Sequence, residues 1–140
     1  MATYPPPTPT PTPTPTLVPT PAGPSTGIVI ECIFFDGLVP VSESDEYVQL
    51  TNSNSVEVDL AGWLLRDIAD DTPSFVFPAH PVQPGGRVRV YTDEVHPEWG
   101  GFSFGRGTSV WNNNEKEPDT AGLFNPQGQM VSEKSYPPGC

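Results

Sequence analysis

Residues 59–67 read DLAGWLLRD, and this stretch decides which kind of fold the chain can form. Asp59 ends one short apolar alternation, and Gly62 lets the backbone bend before the next one begins. In an extended strand Trp63 and Leu65 share one face, while the intervening Leu64 points to the other. A tryptophan in such a place is either an exposed binding platform or part of a core. The alternation favours the core, so we expect Trp63 to be buried in a small β domain.

Short alternating runs also make up the rest of residues 27–140. No segment of ten or more residues carries the 3.6-residue period of a helix, and Gly, Pro, Asn or Asp separates most runs from the next. We expect 27–35 to be buried on both faces, and Val56, Val58 and Leu60 to point inward. This pattern predicts an all-β, antiparallel β-sandwich. The predicted strands are GIVIECIFF at 27–35, EYVQLTN at 46–52, VEVDL at 56–60, AGWLLRDI at 61–68, SFVFP at 74–78, RVRVYT at 87–92, TSVWNN at 108–113, TAGLFN at 120–125 and QMVSEKSY at 129–136.

Six motifs of this chain follow one another in the order typical of lamin tail domains. They are EYVQLTN, VDLAGW with Leu65 and Asp67 behind it, FVFP, PGGRVRVYT, VWNN and DTAGLFNPQG. Residues 28–136 therefore resemble that family, and the resemblance implies an immunoglobulin-like sandwich. Pro118 stands where the family usually has a glycine before the aspartate, which predicts a different loop shape there. Basic chromatin-binding surfaces of nuclear lamin tails are not expected in so acidic a chain.

The first 26 residues, MATYPPPTPTPTPTPTLVPTPAGPST, contain no charge and almost no large apolar side chain. Such a segment cannot bury a core, and alternating Thr-Pro favours an extended polyproline II conformation of roughly 3.1 Å per residue. We therefore predict a disordered Pro/Thr-rich linker at 1–26 and a folded domain at 27–140. The stalk resembles those of the bacterial exported branch of the family, where the domain accompanies nucleases, hydrolases or surface-anchoring parts. We expect a piece of a larger exported protein with its signal upstream, and a short cytosolic protein is the alternative.

The formal charge of −11 narrows the choice of partners. An acidic surface repels phosphate backbones and anionic membranes, and the basic residues form no cluster. No run of eighteen apolar residues suggests a membrane span. We expect an unknown protein or a cell-surface polymer as partner, no nucleic acid and no membrane insertion. In isolation we expect a monomer, with homotypic assembly through an edge strand as an alternative.

Cys32 and Cys140 are the two cysteines. In an exported domain they can pair and tie the first strand to the chain end. Alternatively, Cys32 is a small buried residue and Cys140 belongs to a frayed terminus. Spacing alone does not decide between these two.

Catalytic and zinc sites find little support in the sequence. His80 and His96 each precede a proline in a predicted loop, with no nucleophile elbow nearby, and are expected to be solvated. Two cysteines and two distant histidines do not have the spacing of zinc ligands. We predict no catalytic residue, no enzyme activity and no cofactor, while a metal-assisted hydrolase is the alternative from another class.

Acidic residues provide the candidate metal ligands. Asp67, Asp70 and Asp71 surround one turn, and carboxylates in a flexible loop suit Ca²⁺. The DxDxDG spacing is missing, so the alternatives are a solvated turn and an Asp67 side chain that caps the turn. We predict no bound metal and keep these three as the calcium candidates. A second acidic patch consists of Glu43, Asp45 and Glu46.

Residues 93–107 form a long loop rich in glycine and aromatic residues. Trp99, Phe102 and Phe104 make it the candidate binding loop, and the alternative is that these rings cover the open end of the sandwich. Trp111 is expected in the core. The sequence thus predicts a non-catalytic extracellular binding or structural module on a stalk. A calcium-dependent accessory domain of an exported enzyme is a further alternative.

Overall fold

The structure is a computed structural model that describes residues 3–4, 6–8, 10 and 27–140. The predicted linker at 1–26 lies outside the described residues apart from those few positions. Residues 27–140 form ten short strands and one 3₁₀ turn, Pro97–Trp99. The strands are β1 Ile28–Phe34, β2 Tyr47–Asn52, β3 Val58–Asp59, β4 Leu64–Asp67, β5 Ser74–Val76, β6 Pro81–Val82, β7 Arg87–Tyr91, β8 Phe102–Ser103, β9 Ala121–Phe124 and β10 Met130–Lys134.

The strands form two four-stranded sheets and one two-stranded ribbon. The first sheet has the order β1-β2-β7-β8, the second has the order β10-β9-β4-β5, and β3 pairs with β6. All pairs are antiparallel except β7 with β8. Two mainly antiparallel sheets around one core confirm the predicted immunoglobulin-like β-sandwich.

The inward faces of the two sheets form one core. In the first sheet Val48 pairs with Val90, and in the second Leu65 pairs with Leu123, so apolar residues of neighbouring strands lie side by side. All four are fully buried. The alternation along β2, β4 and β7 produces these faces, because successive side chains of a strand point to opposite sides.

Trp63 is a core residue, with 4% of its surface exposed. Its backbone N–H donates to the Leu60 carbonyl at 2.9 Å, and its carbonyl accepts the N–H of Phe77 at 2.8 Å. Gly62, at a φ of 80°, makes the bend that leads into it. The prediction that Trp63 of DLAGWLLRD is buried in the core is confirmed.

Two expectations for the strand pattern are wrong. The first strand is not buried on both faces: Ile28 and Ile30 enter the core, whereas Val29 and Glu31, which follow them, are partly exposed. A bulge after Ile30 shifts the register of β1 against β2. Val56, expected inward, is 58% exposed because the ribbon strand begins only at position 58.

No strand forms at 108–113, where one was predicted. The backbone N–H groups of Val110 and Trp111 donate to a carboxylate oxygen of Glu46, at 2.8 and 3.4 Å, instead of to a neighbouring strand. Trp111 is nevertheless 1% exposed, so its predicted place in the core is confirmed.

The two ends of the domain lie beside one another. Cys32 in β1 and Cys140 form a disulfide, with their Cα atoms 5.0 Å apart. The Cys140 N–H donates to the Ile33 carbonyl at 3.1 Å. Phe35 stacks on Tyr136 with ring centroids 4.2 Å apart. The segment after β10 is therefore packed along the end of β1.

Candidate functional site

Three carboxylates converge at one end of the two central strands of the second sheet, β4 and β9. Asp67 is the last residue of β4, and Asp70 follows in the next turn. Asp119 lies two residues before β9, the strand that pairs with β4 and places Ala121 opposite Asp67. The turn after β4 and the segment before β9 consequently meet. One ligand oxygen from each of the three carboxylates lies within 4.8 Å of the others. We call this set the acidic cluster.

Asp67 is the buried member of the acidic cluster, with 1% of its surface exposed. Its Oδ1 accepts the backbone N–H of Ala69 at 3.0 Å, which is the capping contact given above as one alternative for this residue. Its Oδ2 is buried and has no hydrogen-bond partner among the described residues. Burial, and then the nearby Asp119 carboxylate, raise the pKa of Asp67 to about 6. Oδ2 is therefore a buried acceptor oxygen whose desolvation no hydrogen-bond donor among the described residues compensates directly.

Asp119 is held by its surroundings from several sides. Its Oδ2 accepts the backbone N–H of Asn112 at 2.9 Å, and its own N–H donates to the Tyr136 hydroxyl at 3.1 Å. The Ser135 hydroxyl donates to its carbonyl at 2.6 Å. Burial raises the pKa of the Asp119 carboxyl above its ordinary value. These bonds fix the position of Asp119 before the ladder of β9 begins.

An open cleft of about 730 Å³ lies next to the acidic cluster. Asp70 and Asp119 line it, so two of the three carboxylates are reached from solvent through this cleft. Its other lining residues are mainly polar, and they include Arg106, Trp111, Asn112 and Glu117. A polar, open cleft suits ions and polar groups better than an apolar small molecule.

Glu46 is a second buried carboxylate, with none of its surface exposed. Its Oε1 accepts the Thr92 hydroxyl at 3.0 Å and the Val110 N–H at 2.8 Å. Burial raises the pKa of Glu46 to about 7. Asp45 instead accepts the N–H groups of Leu38 and Val39, at 2.8 and 3.0 Å. The predicted acidic patch of residues 43–46 is therefore not one site, because Glu46 turns into the interior.

Asp71, one of the three calcium candidates, lies outside the acidic cluster. It is exposed and adopts a positive φ of 62° within the turn. Asp119 takes its place beside Asp67 and Asp70. Sequence reasoning missed Asp119 because the contact depends on the pairing of β4 with β9. The aspartate that opens the motif DTAGLFN, directly before a predicted strand, was the available signal.

Two of the three rings of the candidate binding loop lie inside the domain. Phe102 is 6% exposed and packs edge-on against Phe77, with centroids 5.1 Å apart. Phe104 is half-buried against the core. An exposed platform of three rings is therefore wrong, and Phe102 and Phe104 follow the alternative in which rings cover the open end. Trp99 differs, because its ring lies on the outer face of the first sheet beside Arg89.

Arg89 organises that outer face. The carbon of its guanidinium lies 3.7 Å from the centroid of the Trp99 ring and 4.0 Å from that of Tyr47. Its Nε donates to Oε1 of Gln49 at 2.8 Å, and one Nη donates to the Tyr91 hydroxyl at 3.0 Å. Stacking and hydrogen bonding together hold the guanidinium in place.

Both histidines lie in loops and are partly exposed, and both also contact neighbouring side chains. The ring nitrogens of His96 lie 2.7 Å from a Glu94 oxygen and 3.0 Å from a Glu98 oxygen. The Glu94 contact is the main cause of a raised pKa of His96. His80 packs edge-on against Phe102 at 5.0 Å. His96 also stacks on Tyr91, with ring centroids 4.1 Å apart.

The comparisons with known proteins fit this architecture. The model of the lamin tail domain family matches residues 21–138, most of the chain. The chain belongs to the lamin tail domain family. A search among curated proteins found no match. The lamin tail domain is an immunoglobulin-like module of interaction or structural type, and the family is generally non-enzymatic. Within the described residues no helix has the length and apolarity that crossing a bilayer requires.

Proposed function

We propose that this lamin tail domain is a non-catalytic binding or structural module of an exported bacterial protein. In this proposal it is displayed outside the cell on a stalk formed by residues 1–26. Its partner is a protein or a cell-surface polymer, because a net charge of −11 disfavours nucleic acid.

The observation that carries the proposal is the Cys32–Cys140 disulfide. Disulfides persist in oxidising compartments outside the cytosol and are rare inside it. This one links the first strand to residue 140, so it holds both ends of the domain together. Such a cross-link stabilises a small domain that must stay folded outside the cell.

The composition of the first 26 residues adds a second line of support. A Thr-Pro-rich segment is a semi-rigid spacer, and twenty residues in polyproline II extend over about 60 Å. Such a spacer holds the domain at a distance from the rest of an exported protein.

Protease treatment of intact source cells tests the proposed location. We expect an antibody against the domain to detect it on intact cells, and external protease to remove that signal while a cytosolic marker survives. Alkylation before any reductant is added should find no free thiol. A domain protected from protease in intact cells, with two free thiols, would overturn the proposal.

A further inference from the structure

We propose that the acidic cluster, Asp67, Asp70 and Asp119, binds a Ca²⁺ ion between the turn after β4 and the segment before β9. The site is distinct from the display function proposed above and does not depend on it. A failure of export would leave Ca²⁺ binding measurable, and a failure of Ca²⁺ binding would leave the location of the domain untouched.

The first argument is that the three carboxylates have no ion-pair partner among the described residues. Three carboxylates offer oxygens within 4.8 Å of one another, and none of the ion pairs among the described residues involves them. Like charges at that separation repel strongly where water is partly excluded. A divalent cation between the three carboxylates attracts each of them, and this attraction outweighs their mutual repulsion.

The second argument is the buried oxygen of Asp67. This residue is 1% exposed, and its Oδ2 lacks a hydrogen-bond partner in the described residues. A buried carboxylate oxygen is expected to have a hydrogen-bond donor or a metal ion as partner. The oxygens of Asp70 and Asp119 next to it make a metal ion the partner that fits best. A proton shared with Asp119 is the competing solution, and the experiment below separates the two.

The chemistry of the surroundings selects Ca²⁺ among the biological cations. The ligands are all oxygens, without a cysteine or histidine, so zinc and copper are disfavoured. Ca²⁺ accepts six to eight oxygens in variable geometry, whereas Mg²⁺ demands a near-ideal octahedron. Asp70 lies on an exposed turn that can adjust its distance, and the open cleft admits water molecules as remaining ligands.

Binding adds a link next to the β4–β9 ladder, which already places Ala121 opposite Asp67. Asp67 ends β4, Asp70 follows in the next turn, and Asp119 lies in the segment before β9. Three carboxylates and an open site place the dissociation constant at roughly 10⁻⁴–10⁻³ M, as in extracellular calcium modules. Because the ion binds the folded state, it raises the thermal midpoint, by about 3–8 °C at ten times Kd.

Terbium luminescence provides a direct test with the full 140-residue, disulfide-bonded chain. Tb³⁺ shares the oxygen preference of Ca²⁺, and Trp111 lines the same cleft as Asp70 and Asp119 and can sensitise it. We expect tryptophan-sensitised Tb³⁺ emission at pH 7.5 that Ca²⁺ displaces with a constant in the stated range. Calorimetric titration with CaCl₂ after EGTA treatment should give one site.

Matched variants locate the ion. Asp70→Asn, at an exposed position, should fold normally and weaken Ca²⁺ binding at least about tenfold. The control is Asp71→Asn, which removes the same charge one residue away and outside the cluster, and it should bind within about twofold of the parent chain. Saturable binding lost in the first variant and kept in the second supports the proposal. No saturable Ca²⁺ effect up to about 10 mM, or equal weakening in both variants, overturns it and favours the shared proton.

Discussion

The Oε1 atom of Glu46 lies 2.8 Å from the backbone nitrogen of Val110, which donates a hydrogen bond to it. One buried side chain thereby replaces a neighbouring strand as the partner of a core segment. The same oxygen accepts the Thr92 hydroxyl at 3.0 Å, so it also holds the end of β7. Glu46 thus links β2 to two segments that pack against it, and its removal should affect folding more than a surface carboxylate would.

Glu46→Ala should lower the free energy of unfolding by about 2–4 kcal/mol, because it removes the acceptor of three buried donors and opens a cavity. Glu46→Gln keeps one acceptor oxygen and should cost less than half as much at pH 7. Urea unfolding followed by tryptophan fluorescence measures both variants. If Glu46→Ala were as stable as the parent chain, water would have replaced Glu46 as the hydrogen-bond partner of Val110 and Thr92.

Stability should fall as the pH rises from 5 to 8 in the presence of EGTA. Burial raises the pKa of Glu46 to about 7 and that of Asp67 to about 6, so the folded state binds these protons more tightly than the unfolded state. The stabilisation that comes from binding these two protons is complete below the ordinary carboxyl pKa. It is lost as the pH rises through 6 and 7. The slope is at most about 1.4 kcal/mol per pH unit for each carboxylate.

A double variant, Glu46→Gln with Asp67→Asn, isolates this contribution to the pH dependence. His96 and Asp119, whose pKa values are also raised, act in the same direction and remain in the variant. The pKa values of Glu31 and Asp59 are lowered, so their contribution is lost only on the acid side of this range. Chemical unfolding at four pH values should give a flatter profile for the variant than for the parent. Identical profiles would contradict the assignment.

Trp63→Ala should cost about 3–5 kcal/mol, since it removes a large buried side chain from between the sheets. Val56→Ala is the matched control, because Val56 is 58% exposed and its truncation should change stability by less than about 0.5 kcal/mol. Guanidinium unfolding curves compare the two. A loss below 1 kcal/mol for Trp63→Ala would mean that the core repacks around the missing ring.

Reduction of the Cys32–Cys140 disulfide should lower the free energy of unfolding by about 4–5 kcal/mol. The bond closes a sequence separation of 108 residues, and in the chain-entropy model a loop of this length limits the unfolded state strongly. The double variant Cys32→Ser, Cys140→Ser should match the reduced parent and be insensitive to dithiothreitol. Thermal unfolding with and without reductant gives the comparison. A reductant effect of equal size in the double variant would assign the loss to something other than this bond.

Arg89→Lys should destabilise the outer face of the first sheet by about 1–2 kcal/mol, because lysine cannot stack flat between Tyr47 and Trp99 while it donates to Gln49. The control is Arg87→Lys at the exposed pair with Glu31, which should change stability by less than 1 kcal/mol. Trp99 emission should shift in the first variant only. Equal effects of the two substitutions would argue against a special role of the stacked guanidinium.

The candidate site was only partly predictable from the sequence. Asp67 and Asp70 stand close together in one turn, so their types and spacing already suggested oxygen ligands for a cation. Asp119 could not be added, because its approach to Asp67 follows from the register of β4 against β9. The burial of Glu46 was not predictable either, since nothing in the order SESDEYV says which carboxylate turns inward.

Residue alternation by itself determined most of the strands, the buried place of Trp63 and the sandwich. Period-two burial is a local property, and six motifs in family order placed the strands in a known arrangement. The tertiary structure alone decided which distant groups meet: Glu46 with Val110, Asp67 with Asp119, Arg89 with Trp99, and Phe102 with the core. Such contacts depend on sheet pairing and on how loops close over the sandwich. The free energy of such contacts depends on residues far apart in the sequence, so the alternation within single strands cannot predict them.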